Sequence, residues 1–206
     1  MRKPAESSSP LHELIRERWS PRSFADRKVE PEKIRVLLEA ARWAPSSFNG
    51  QPWTYFLATK NQSDEFARLA DCLVDGNAWA KRAPLLLLSV AAMHFAHNGQ
   101  SNRHAFHDVG LATANLVLQA QAMGLVVHQM AGFLPDRARE FFQIPVGQEP
   151  LTMLTIGYPG EVSELPEPLR ARETAPRSRK PLSEIAFSGK WGHASPLLQE
   201  GGTTAN

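Results

Sequence analysis

Between His104 and Met123 apolar residues occupy nearly the whole circumference of a helical pattern, with Phe106, Val109, Leu111, Leu116, Val117 and Leu118 spread around it. A surface helix carries one apolar stripe, so a helix that is apolar all round is predicted to be buried at the centre of its fold. That placement requires cover on every side. Leu85 to Ala92 is an unbroken apolar run of strand length, predicted to be buried on both faces. Further strands are predicted at Trp53–Thr59, Val126–Met130 and Leu151–Tyr158. Helical spacing is present at Leu11, Leu14, Ile15 and Arg18 behind a Ser9–Pro10 start, ending near Trp19. It recurs from Pro31 through Ile34, Leu37, Leu38 and Ala41, from Ser63 through Phe66, Leu69, Ala70 and Leu73, and over Asp136–Phe142. Gly124 closes the central helix, and Pro159 opens a proline-rich crossing that runs to Pro181.

With 206 residues the chain suits one domain, burying roughly 70% of the surface its unfolded form exposes. The expected division is a polar tail at 1–9, a single domain at 10–192, and a polar, aperiodic tail at 193–206 expected to be disordered. A net charge of +2 and a pI near 8.9 are too mild for a nucleic-acid partner and better suited to a small anionic ligand. Cys72 is the only cysteine, which excludes an internal disulfide. The first residues lack the apolar core of a signal peptide, and no apolar run is long enough to span a bilayer. A cytoplasmic protein without a membrane partner is therefore expected.

Ala44 to Trp53 reads A-P-S-S-F-N-G-Q-P-W. Pro45 stops the preceding helix and Pro52 pushes its predecessor toward extended geometry, so the intervening chain is held at both ends. Ser46, Ser47, Asn49 and Gln51 supply donors and acceptors suited to a polar, planar ligand. The same residue types also favour an ordinary turn. Upstream, Arg18, Ser20 and Arg22 occupy alternate positions of R-W-S-P-R-S-F, broken at Pro21. In an extended segment they share one side, where two guanidiniums suit a phosphate or an electron-rich ring edge. A solvated basic helix end is the competing reading. A second basic group, Arg170, Arg172, Arg177, Arg179 and Lys180, lies in the proline-rich crossing.

His94, His97, His104 and His107 form two H-x-x-H pairs. A catalytic zinc helix separates its histidines by four positions with a glutamate between, and these pairs have neither feature, so no metal site is assigned. The chain contains no G-x-S-x-G, Walker or G-x-G-x-x-G motif, which leaves hydrolase, P-loop and Rossmann readings without support.

These motifs together resemble the FMN-dependent nitroreductase family. The resemblance rests on R-W-S-P-R-S-F at Arg18–Phe24, A-P-S-S-F-N-G-Q-P-W, D-V-G-L-A-T-A-N-L, G-L-V-V-H-Q-M-A-G-F, I-G-Y-P-G at Ile156–Gly160 and R-S-R-K-P-L at Arg177–Leu182, in family order from residue 10 to about 190. It implies an α+β fold with a mixed sheet flanked by helices around a long central helix, in an intertwined homodimer with shared active sites. It also implies that the domain at 10–192 binds FMN, with NAD(P)H as electron donor.

Residue by residue, the resemblance places Arg18, Trp19 and Ser20 at the FMN phosphate and ribityl chain, and Arg22 beside the flavin N1–O2 edge. It places Pro45, Ser46, Ser47, Asn49 and Gln51 in a loop reaching the flavin of the partner subunit. Gln129, Met130, Ala131 and Gly132 match the turn whose amides face N5 and O4, and Arg177 and Arg179 match phosphate ligands. Position 131 is alanine where well-known members carry glutamate, and Pro21 stands where a non-proline is usual. The reaction implied is ping-pong: FMN is reduced by NAD(P)H and reoxidised by a nitroaromatic, quinone or similar small-molecule oxidant, with no catalytic side chain required. Readings from other classes are a non-catalytic flavin-binding protein and a metal-binding protein using the four histidines.

Overall fold

The computed structural model describes residues 1–198. Six α-helices and four strands follow along the described chain, alternating from α2 onward: α1 Glu13–Glu17, α2 Pro31–Arg42, β1 Trp53–Thr59, α3 Ser63–Asp71, β2 Leu85–Ala92, α4 Ala105–Ala122, β3 Val126–Met130, α5 Pro135–Phe142, β4 Gln148–Gly157 and α6 Glu167–Thr174. The chain divides into two compact units at Thr174. In the second unit, Leu182–Glu184 and Pro196–Leu198 form single 3-10 turns, and Phe187 bridges Ala194. Of the carboxy-terminal tail expected from residue 193, positions 199–206 lie outside the described residues.

In the first unit the four strands form one sheet in the order β1-β2-β4-β3. The α+β class is as expected, but the expected mixed pairing is not seen in the described chain: all three neighbouring pairs are antiparallel. β2, second in the order, is buried along nearly its whole length, and its alternation divides the core. Leu86, Leu88 and Val90 pack with Leu69, Ala70 and Trp79 on one face, whereas Leu85 and Leu87 pack with Leu37, Ala41 and Leu116 on the other. Each such leucine contributes roughly 1.5–3 kcal/mol relative to an exposed position. β4 begins three residues before the predicted start at Leu151 and includes Pro150. Proline is tolerated there because β3 pairs only with Met153–Gly157, leaving the beginning of β4 as an edge on that side.

Three sequence expectations change. α1 starts at Glu13, not behind Ser9, because His12 Nδ1 accepts the Leu14 N–H and acts as the cap; by Arg18 the backbone is already extended. The proline-rich crossing contains a helix, α6, that its composition hid. α4 buries Ala105, Val109, Ala112, Leu116, Val117 and Ala120, but Phe106 remains 47% exposed and Leu111 and Leu118 are half-buried. Its apolar circumference therefore exceeds what one chain covers. α4 closes as predicted at Gly124, whose φ of 71° permits paired bonds from Gly124 N to Gln121 O and from Leu125 N to Ala120 O. Among the described residues no helix is long and apolar enough to cross a membrane.

Candidate functional site

The extended chain after α1 is fastened to the end of β4. Phe24 bridges Pro159, Gly160 N donates to Ser23 O at 3.0 Å, Ala25 N donates to Tyr158 O at 3.0 Å, and Ser23 Oγ donates to Glu161 O at 2.7 Å. Arg18 Nη1 donates to Ser20 Oγ at 3.3 Å, which brings together the first two residues of the alternating set. Arg22 has partners of its own. Its guanidinium lies 5.8 Å from the Trp79 ring and its Nη1 is 3.5 Å from Glu173 Oε2. Glu173 Oε1 accepts the backbone N–H groups of Arg22 at 2.7 Å and Ser23 at 3.3 Å.

His128 on β3 joins this segment to the strand. Its ring lies 4.6 Å from that of Trp79, and its Nδ1 is 3.1 Å from Pro21 O. A carbonyl can only accept, so Nδ1 carries the proton. Burial holds the imidazole down to about 4, with the Arg22 cation adding to the effect and the Pro21 and Ser20 carbonyls opposing it. His128 is thus neutral near pH 7. Pro21, the departure noted in the sequence, is buried and supplies the carbonyl that fixes this tautomer.

Beyond His128, Gln129 and Met130 complete β3, and Ala131 and Gly132 turn the chain away. Asn77 Nδ2 donates to Gly132 O at 2.8 Å, and a Cβ at Gly132 would lie 2.7 Å from that nitrogen. The turn is therefore clamped by Asn77, and a larger residue at 132 would have to push that side chain aside. The Trp79 ring thus meets both the Arg22 guanidinium and the His128 ring, and the Gln129–Gly132 turn continues directly from His128 in the chain.

The Pro45–Gln51 loop is anchored elsewhere. Ser47–Asn49 form a 3-10 turn, with positive φ at Phe48 (52°), Asn49 (51°) and Gln51 (45°). Such backbone costs on the order of 1–3 kcal/mol per residue and persists only where contacts impose it. Buried Asp108, in the first turn of α4, accepts the Ser47 N–H at 3.0 Å, and Gln51 N donates to Ser46 Oγ at 3.0 Å. Phe48 nevertheless projects outward, 84% exposed. Arg177 and Arg179 belong to the second unit, where Arg179 Nη1 donates to Ser178 O.

The four histidines are exposed, and among the described residues no group of three or more His, Cys, Asp or Glu could hold a metal ion. Burial pushes the Cys72 thiol up to about 11, which makes it a poor nucleophile near neutral pH. Sequence reasoning missed Trp79, His128 and Glu173. Trp79 and Glu173 lie outside every motif, His128 lies inside G-L-V-V-H-Q-M-A-G-F without being singled out there, and the roles of all three arise from contacts with distant segments.

Comparisons with known proteins identify the family. The sequence model of the nitroreductase family matches residues 15–77 and 73–158. A solved oxidoreductase containing FMN has a TM-score of 0.85 at 35% identity, covering 90% of this chain and 94% of that one. FMN reductase (NAD(P)H) of Bacillus subtilis (strain 168) is 28% identical over 159 residues, which span 69% of this chain and 63% of that protein. Iodotyrosine deiodinase 1 of Sus scrofa is 26% identical over 205 residues, covering 86% of this chain and 68% of that protein. With a family match across most of its length and a fold shared with the solved oxidoreductase, the chain belongs to the nitroreductase family.

Proposed function

We propose that the chain is an FMN-dependent oxidoreductase that takes reducing equivalents from NAD(P)H. It passes them to a small acceptor such as a nitroaromatic or quinone, with donor and acceptor using one site in turn. The observation that carries this reading is the contact of Trp79 with both Arg22 and His128, together with the Ala131–Gly132 turn that follows His128 in the chain and is held by Asn77. The donor set suits FMN: guanidiniums for a phosphate and an electron-rich ring edge, an aromatic backing, and a turn pinned for backbone contacts. The FMN-containing structural neighbour and the FMN reductase relative support the same cofactor and donor.

Arg18, Trp19 and Ser20 hold the phosphate end in this reading; Arg177 and Arg179 are phosphate ligands by the family resemblance alone. Arg22 supplies positive charge where negative charge grows on reduction, and the backbone from Gln129 to Gly132 positions the ring. Met130 is buried and anchors the turn, whereas Ala131 is exposed and offers a backbone group alone. Bound FMN supplies the two-electron chemistry. Absorption spectra before and after anaerobic NAD(P)H test the proposal. The expected result is stoichiometric yellow FMN that bleaches and is recoloured by nitroaromatic, quinone or iodinated phenol acceptors. Failure to take up added FMN overturns it, and FMN that resists bleaching identifies a non-catalytic flavin binder.

Arg179→Ala is expected to weaken FMN binding by about 1.5–3 kcal/mol, the range for hydrogen bonds to charged groups. Riboflavin, which lacks the phosphate, loses little. Titration of both ligands decides this: equal losses remove Arg179 from the phosphate site.

The site is proposed to be shared in a homodimer. The outward Ser46–Gln51 loop and the excess apolar surface of α4, beside a groove lined by Leu14, Ala40, Trp43 and Ala122, support that assembly. Dilution is expected to release FMN and dissociate the dimer together. A monomer that retains full FMN by sedimentation sinks the shared site.

A further inference from the structure

Glu173 is 1% exposed and lies on α6, a helix that no motif connects to the site. Burying a carboxylate without partners costs several kcal/mol, and its partners here come from the segment proposed to meet the cofactor. One oxygen accepts both the Arg22 and Ser23 N–H groups, while the other faces the Arg22 guanidinium at 3.5 Å. The Lys3 ammonium donates to the Glu173 backbone carbonyl at 2.7 Å, which fastens the same helical turn. Arg22 is thus held by its backbone and by its charge, with Trp79 on another side. A fixed cation acts on a charge that develops beside it without reorganising, but a carboxylate at its back reduces its field.

Resting on the FMN reading above, we infer that Glu173 is a positioning residue. It aims the Arg22 guanidinium and attenuates its charge, so the Arg22–Glu173 pair, not Arg22 alone, sets how strongly the site favours reduced over oxidised FMN. Glu173→Gln retains a carbonyl oxygen for the two backbone donors and removes the negative charge. Its oxidised-to-reduced FMN dissociation-constant ratio is expected to rise about tenfold, equal to about 30 mV in the positive direction for a two-electron couple. In an Arg22→Gln background the same substitution should change that ratio by less than about threefold, because the pair acts as a unit. An unchanged ratio in the single variant, or an equal change without Arg22, overturns the inference.

Amide hydrogen exchange separates this outcome from failure of the FMN reading. In flavin-free protein, Glu173→Ala should accelerate exchange at Arg22 and Ser23 by about tenfold or more while core strands stay protected. If the protein takes up no FMN but shows this acceleration, the functional reading fails and the clamp stands. Unchanged exchange overturns the clamp whatever the cofactor result. If Glu173→Gln does not fold, Glu173→Asp keeps the charge and withdraws the oxygen by one methylene. It should accelerate the same two amides and raise the FMN ratio by less than the tenfold expected of full charge removal, and unaltered exchange again overturns the inference.

Discussion

Gly160→Ala is expected to destabilise the protein by about 3 kcal/mol, the upper part of the usual range for overpacking. An added Cβ would lie 2.6 Å from Phe24 C, 2.7 Å from Ser23 Oγ and 2.8 Å from Phe24 N. Two of these are backbone atoms, so relief requires moving the Ser23–Phe24 segment and not merely a flexible side chain. That segment is tied back by Gly160 N to Ser23 O and by the Phe24–Pro159 bridge. It is also covalently continuous with Arg22, so the strain reaches the proposed site. Weaker FMN binding should therefore accompany the loss of stability. Gly76→Ala is the control: nothing lies within 4 Å of its added Cβ and no positive φ opposes it. Urea unfolding of both variants checks the difference, and equal midpoints would show that the Ser23–Gly160 contact yields freely.

The elements were legible where local periodicity and burial agree. β2 reads as apolar on both sides and is covered on both sides, and α2 starts at Pro31 and ends before Pro45 as its spacing predicts. The end of α4 is equally local, since Gly124 adopts the positive φ that such a terminus requires. The start of α1 was not, because a histidine cap competes with the better-known serine and proline signals. Nor was the exposed side of α4: apolar periodicity reports that a face needs cover, but not whether the same chain supplies it.

The site divides in the same way. Arg18–Phe24, Pro45–Gln51 and Gln129–Gly132 stood out as continuous motifs, yet what orients them is discontinuous. Ser47 is held by Asp108 on α4, Arg22 by Glu173 on α6, and the turn after β3 by Asn77. Each partner is a common residue whose role depends on tertiary contact. Of the alternating set Arg18, Ser20 and Arg22, the first two are joined by a hydrogen bond, and Arg22 meets the Glu173 carboxylate and the Trp79 ring. Alternation specifies direction only while a strand-like backbone continues and no stronger partner lies within reach.

Acidification is expected to weaken the fold through His128 before the carboxylates dominate. Its imidazole titrates near 6.5 in the unfolded chain and at about 4 in the folded one. Between those values the unfolded state binds more protons, so stability falls as pH drops from about 6.5 toward about 4, while above 6.5 this contribution is constant. The full gap corresponds to about 3 kcal/mol at the acid end. The cause is physical: a second cation would form beside Arg22, against Trp79 and away from water. His128→Phe keeps a ring for the Trp79 contact and removes both the titration and the bond to Pro21 O. At pH 7 it should cost about 1 kcal/mol for the lost hydrogen bond. Near pH 4 the order reverses, and the variant should exceed wild type by about 2 kcal/mol because it avoids the proton penalty. Urea unfolding at pH 7, 5.5 and 4 reads the crossing directly. Parallel losses in the two proteins would mean that His128 does not drive the acid sensitivity, since carboxylates common to both titrate alike.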